Sequence, residues 1–98
     1  MKYQDLKIKK KDSEVMKKYL EIIASDLPAV DRLAEAFTLV TNFYLREAKK
    51  DIEIARAMSD QENLVKEQIK HNVFLSAQGI LNDAYWRVTG KKVRDDYN

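Results

Sequence analysis

Two glycines and one proline are all that interrupt this chain of 98 residues. Tight turns depend on glycine for left-handed backbone and on proline for a preset φ, so this scarcity excludes a β-rich fold. It also excludes a glycine-rich phosphate loop. The remaining option is long helix, and the three residues fall at useful points. Pro28 can open a helix because its missing amide donor is not needed in the first turn. Gly90 can take the left-handed conformation that closes one. Gly79 falls in the middle of an apolar-periodic segment, where it costs about 1 kcal/mol relative to alanine.

The apolar periodicity predicts three helices of one all-α domain. Helix 1 is expected over about 14–25, with Ser13 as its cap and Val15, Met16, Tyr19, Leu20, Ile22 and Ile23 at helical spacing. Helix 2 is expected over 28–57, which spans about 45 Å at 1.5 Å per residue. Its first half carries two adjoining stripes, Val30, Leu33, Phe37, Val40 and Tyr44 beside Ala36, Leu39 and Phe43. Its second half narrows to Ala48, Ile52 and Ala55. A broad arc implies two neighbours and a narrow arc one. Ser59-Asp60-Gln61-Glu62 has the form of a capping box, which starts helix 3 at about residue 60 and lets it run to Thr89. The expected core stripe of helix 3 is Ile69, Val73, Ala77, Ile80, Ala84 and Val88, widened by Phe74, Leu81 and Tyr85. Together these make a short N-terminal helix and two long antiparallel helices, a helical hairpin or three-helix bundle.

The net charge of +2 conceals a segregation. Residues 1–18 have seven lysines against three acids (+4). Residues 19–86 have seven Lys/Arg against eleven acids (−4), and residues 87–98 are +2. A basic arm over 1–12 and a basic tail over 90–98 therefore flank an acidic body. The plain reading of both ends is a solvated arm and a frayed tail. The sharper reading makes Lys7, Lys9, Lys10 and Lys11 contacts for phosphates or an acidic partner. Leu6-Lys7-Ile8-Lys9 alternates with the period of a strand. Strand, then capped helix, then helix is the outline of a ribbon-helix-helix module, whose paired strands enter the major groove of DNA. The outline covers only the first 45 or so residues. Under this resemblance Lys7 and Lys9 would face the bases. In size and helix pattern the chain is also similar to small helical accessory proteins, such as phage-encoded counter-defence proteins and bacteriocin immunity proteins.

Catalytic chemistry finds little to work with. There is no cysteine, and one histidine cannot build a metal site or a proton relay. His71 follows Glu67 by four residues and reads as a surface pair on a helix. Glu47, Asp51 and Glu53 alternate with Lys49, Lys50 and Arg56, as on a solvated helix. No carboxylate pair shows the contrasting environments that acid–base catalysis uses. The composition of 45% hydrophobic and 35% charged residues, with no apolar run near 20, excludes a membrane span. With no signal-peptide pattern, a cytoplasmic protein without cofactor or metal is expected.

One further face of helix 3 stands apart from the expected core. Gln68, Leu75, Gly79, Asn82 and Trp86 fall on one side of the helix. Leu75 and Trp86 lack an evident partner there, which makes this face the candidate interaction surface. The plainer alternative folds Trp86 over the turn between helices 1 and 2 and treats Gly79 as tolerated. The functional expectation is a non-enzymatic accessory protein, a dimer or higher homo-oligomer that binds another protein. The alternatives are a nucleic-acid-binding regulator that uses the lysine-rich arm and an oligomer that binds a small, nucleotide-like ligand.

Overall fold

The computed structural model describes residues 13–94. The basic arm, with Lys7, Lys9, Lys10 and Lys11, lies outside the described residues, as does the strand expected there. The described residues form three helices: α1 (Ser13–Ile23), α2 (Ala29–Ala57) and α3 (Gln61–Thr89). The expected all-α hairpin with a short extra helix is the observed fold. None of these helices is long and apolar enough to cross a membrane.

Both turns are held by backbone and side-chain bonds. The Pro28 carbonyl accepts from the amides of Asp31 and Arg32 and so opens α2. Arg32 reaches back, its guanidinium donating to Leu27 O at 3.1 Å and Ile23 O at 3.3 Å. It thereby satisfies a carbonyl that the end of α1 leaves without a partner.

The second turn departs from the expected capping box. Ser59 is not the cap. It takes a left-handed conformation with φ 56°. Its amide donates to Arg56 O and the Asp60 amide to Ala55 O, which is the paired bonding of a Schellman ending for α2. Asp60 caps α3 instead, accepting from the Asn63 amide at 3.2 Å. The side chain order is decided by the preceding helix: once Ser59 must be left-handed, the next residue is the first able to cap. At the far end Gly90, with φ 75°, closes α3 as expected.

Helix 2 is the middle layer. Both α1 and α3 pack on it, and α1 and α3 make no close backbone approach to each other. At 100° per residue the two contact faces of α2 fall on opposite sides of the helix. One face meets α1 in a small apolar core of Ile22, Ala36 and Leu39, with Val15 and Tyr19 against it. The other meets α3. The broad arc expected for the first half of α2 therefore does reflect two neighbours. Leu33 and Val30, however, remain exposed at 67% and 41%.

The core face of α3 is the main correction. Ile69, Val73, Ile80 and Val88 point outward and are exposed, with Ile80 at 72%. The residues turned toward α2 are Leu64, Glu67, His71, Phe74, Gln78, Leu81 and Tyr85, all buried or half-buried. Their steps of three and four give the 3.5-residue period of a two-helix seam. Helix 2 answers with the same steps at Asp31, Ala34, Thr38, Thr41, Leu45, Ala48, Ile52 and Ala55. Small residues at Ala34, Ala48 and Ala55, each 4% exposed or less, let the helices approach closely. Tyr44 stacks on Phe74 at 5.1 Å near the middle of the hairpin.

The turn makes a clear prediction. Asp60→Ala lowers stability by about 1 kcal/mol, the usual worth of a cap, while Ser59→Gly raises it by several tenths because glycine carries no left-handed penalty. Urea unfolding followed by circular dichroism measures both. A capping-box role for Ser59 would require the opposite outcome, a loss of stability in Ser59→Gly that matches the loss in Asp60→Ala.

Candidate functional site

The polar groups of the α2–α3 seam gather in two places. The first joins the start of α2 to the end of α3. Tyr85, 5% exposed, donates its hydroxyl to Asp31 Oδ1. Lys91 Nζ lies 3.4 Å from Asp31 Oδ2. Arg94 sits 3.9 Å from the buried Glu35. The basic tail that was expected to fray is thus turned back, through residue 94, onto two buried acids of α2. Gly90 supplies the reversal, and Thr89 steadies it by donating to Tyr85 O at 2.7 Å and accepting from the Lys91 amide at 3.3 Å. Asp31 also lies in the first turn of α2, where the helix dipole favours negative charge.

These contacts shift the groups involved. The Tyr85 hydrogen bond, followed by Lys91, holds the Asp31 carboxyl below its ordinary range against the opposing effect of burial. Burial, then the Asp31 bond, pushes the Tyr85 phenol up. The Asp31 bond raises Lys91.

The second gathering lies near the middle of the seam. Gln78 Nε2 donates to Thr41 Oγ1 and to Asn42 Oδ1, each at 2.7 Å. Thr41 in turn donates to Phe37 O at 2.7 Å. Beside this cluster opens a cleft of about 550 Å³. Thr38 and Asn42 form its α2 wall, Gln78, Asn82 and Trp86 its α3 wall, and Lys92 and Val93 close one end. Asp83 also borders it, already paired with Arg87 at 2.8 Å.

The expected interaction face is divided by this arrangement. Asn82 and Trp86 line the cleft, and Trp86 is 54% exposed rather than folded over the α1–α2 turn. Gln68, Leu75 and Gly79 are exposed outside it. A Cβ at Gly79 would meet nothing within 4 Å, so no close approach within the described chain requires glycine there. Thr38 and Asn42 were not singled out in the sequence, whereas Gln78 stands at the margin of the expected face. The matching 3.5-residue steps on α2 and α3 are the signal that places these three at or beside the seam.

Glu67 pairs with Lys70 at 3.0 Å and not with His71. Its other oxygen, Oε2, is buried without a partner. Glu47 pairs weakly with Lys50 at 3.8 Å, as on a solvated helix. Among the described residues no group of three or more His, Asp or Glu stands together to hold a metal ion.

A second surface lies on the outward side of α3. The outward stripe of Val65, Ile69, Val73, Ile80 and Val88 is 52–75% exposed. It borders a shallow groove over Ser76 and Ala77. No protein family, curated protein or solved structure matches the chain.

The Asp31–Tyr85–Lys91 cluster contributes to the pH dependence of stability. A depressed carboxyl contributes stability above its ordinary range and loses it as pH falls through the folded value. Raised Tyr85 and Lys91 groups contribute below their ordinary range and lose it as pH rises through theirs. The urea midpoint should therefore be flat near neutrality and fall at both extremes. In Tyr85→Phe the midpoint at pH 7 drops and the fall between pH 5 and pH 3 becomes shallower. An unchanged acid limb in that variant would show that other carboxylates set it.

Proposed function

We propose that this chain is a non-enzymatic accessory protein that acts as a homo-oligomer, with α3 as the self-association helix and another protein as its eventual partner. The observation that carries the reading is the outward aliphatic stripe. Five large aliphatic residues along about 35 Å of one helix face water, and a contiguous apolar strip of that kind marks an interaction surface.

The spacing of the stripe favours a second copy as the occupant. Val65, Ile69, Val73 and Ala77 form a ridge of steps of four. Ridges of that kind interlock when two helices cross at about −50°. Ala77 and Ser76 leave a shallow groove beside Ile80, so a two-fold axis near this point seats the Ile80 of each copy in the groove of the other. One patch then supplies both the ridge and its complement, as a two-fold interface demands.

The oligomer is tested by light scattering at low and high micromolar protein. The expected mass is at least twice that of one chain, and Ile80→Glu should reduce it to one chain while leaving the helical content unchanged. Ile80 faces away from α2, so the substitution leaves the hairpin seam intact. A wild-type mass of one chain at high micromolar concentration would remove the proposal.

A further inference from the structure

The cleft between α2 and α3 has a chemistry that the self-associating stripe does not use. Its volume of about 550 Å³ falls in the range of small-molecule sites. Gln78, Asn82 and Trp86 stand one helical turn apart along one wall, and Thr38 and Asn42 one turn apart along the other. The hydrogen bonds here leave capacity over. Gln78 gives its amide hydrogens to Thr41 and Asn42. Its Oε1 then has no partner among the described residues, and neither has Asn42 Nδ2, the Asn82 carboxamide, the Trp86 indole N–H or the Lys92 ammonium. Beneath them Thr38 Oγ1 is buried and unpartnered, in a residue 6% exposed. Thr41 and Thr89 return their hydroxyls to the carbonyl one turn back, and Thr38 does not. The groups above Thr38 are open to solvent and so to a ligand, and the buried Thr38 hydroxyl is the one whose missing partner needs an explanation.

The donor and acceptor set selects among ligands. The Asn82 carboxamide presents a donor and an acceptor side by side, and Asn42 Nδ2 with Gln78 Oε1 adds one more of each, which matches the edge of a heteroaromatic ring that offers the same pair. The indole offers a flat face for a planar ring to stack on. Lys92 offers a single positive charge at one end. A purely apolar ligand would leave the Asn82 carboxamide, Gln78 Oε1 and Asn42 Nδ2 without partners. A small inorganic anion would meet one lysine and the nearby Asp83 carboxylate. We infer that this cleft binds a planar heteroaromatic ring with a hydrogen-bonding edge, stacked on Trp86 and read by Gln78, Asn42 and Asn82, with an acidic substituent directed to Lys92. Purine nucleoside monophosphates are soluble representatives of that class.

Trp86 is the chain's one tryptophan, so its emission reports on the cleft directly. The full-length protein is titrated with AMP, GMP, the two parent nucleosides, benzoate and inorganic phosphate. The expected result is saturable quenching by a nucleotide, weaker by about tenfold for its nucleoside, as loss of one charged contact implies. Asn82→Ala should weaken the nucleotide at least tenfold, and Lys92→Gln should bring it to the level of the nucleoside. Both residues are exposed, so circular dichroism should show intact helices in each variant. No saturable quenching up to about 5 mM of any nucleotide or nucleoside overturns the inference. So does binding that neither substitution changes, or benzoate or phosphate binding as tight as the nucleotide. A nucleoside as tight as its nucleotide overturns the assignment of Lys92. The cleft and the stripe lie on roughly opposite sides of α3, so Ile80→Glu should keep the quenching even where it abolishes self-association.

Discussion

The bonds of Gln78 to Thr41 and Asn42, with that of Tyr85 to Asp31, set how α3 lies on α2. Buried polar groups must find partners, because a stranded one costs about 1–3 kcal/mol. Asp31 and Thr41 are buried on the α3-facing side of α2, and Tyr85 and Gln78 answer them from α3. The other side of α2 is already taken, since Ala36 and Leu39 pack against α1. Rotating α3 to bury Ile69, Val73 and Ile80 would remove Gln78 and Tyr85 from their partners and deprive the buried Asp31 of the Tyr85 hydroxyl. The aliphatic stripe faces outward as a consequence, and the proposed self-association follows from the same cause.

The polar seam also governs what happens at its two ends and along its edge. Asp31 is held by Tyr85 and by Lys91, so the segment just after α3 is tied to the start of α2 across 60 residues of sequence. Alongside, Asn82, Gln78 Oε1 and Asn42 Nδ2 stand open above the buried Thr38 hydroxyl, and the proposed ring-binding cleft lies where they meet Trp86 and Lys92. Self-association and ligand binding would thus occupy separate sides of one helix. That helix carries three strips with different chemistry, a seam of period 3.5, an aliphatic ridge of steps of four, and the Gln78–Asn82–Trp86 wall.

The sequence made the elements legible. The scarcity of glycine and proline, with Pro28 and Gly90 at boundaries, determined three helices, their order and nearly their ends. The broad arc in the first half of α2 announced two neighbours, and the narrow arc of Ala48, Ile52 and Ala55 announced one. These are local properties of backbone propensity and residue size, and they need no knowledge of the partner helix.

Tertiary structure decided which side of α3 faces in. Hydrophobicity alone favours Ile69, Val73, Ile80 and Val88 over Glu67, His71 and Gln78, and the observed order is the reverse because the value of a polar residue at a seam depends on what lies opposite. Tertiary structure also moved the cap from Ser59 to Asp60, since the ending of α2 took Ser59 first. It gathered Thr38, Asn42, Gln78, Asn82, Trp86 and Lys92 around one cleft. Those residues span more than half the chain in sequence, and only the pairing of two helices brings them together.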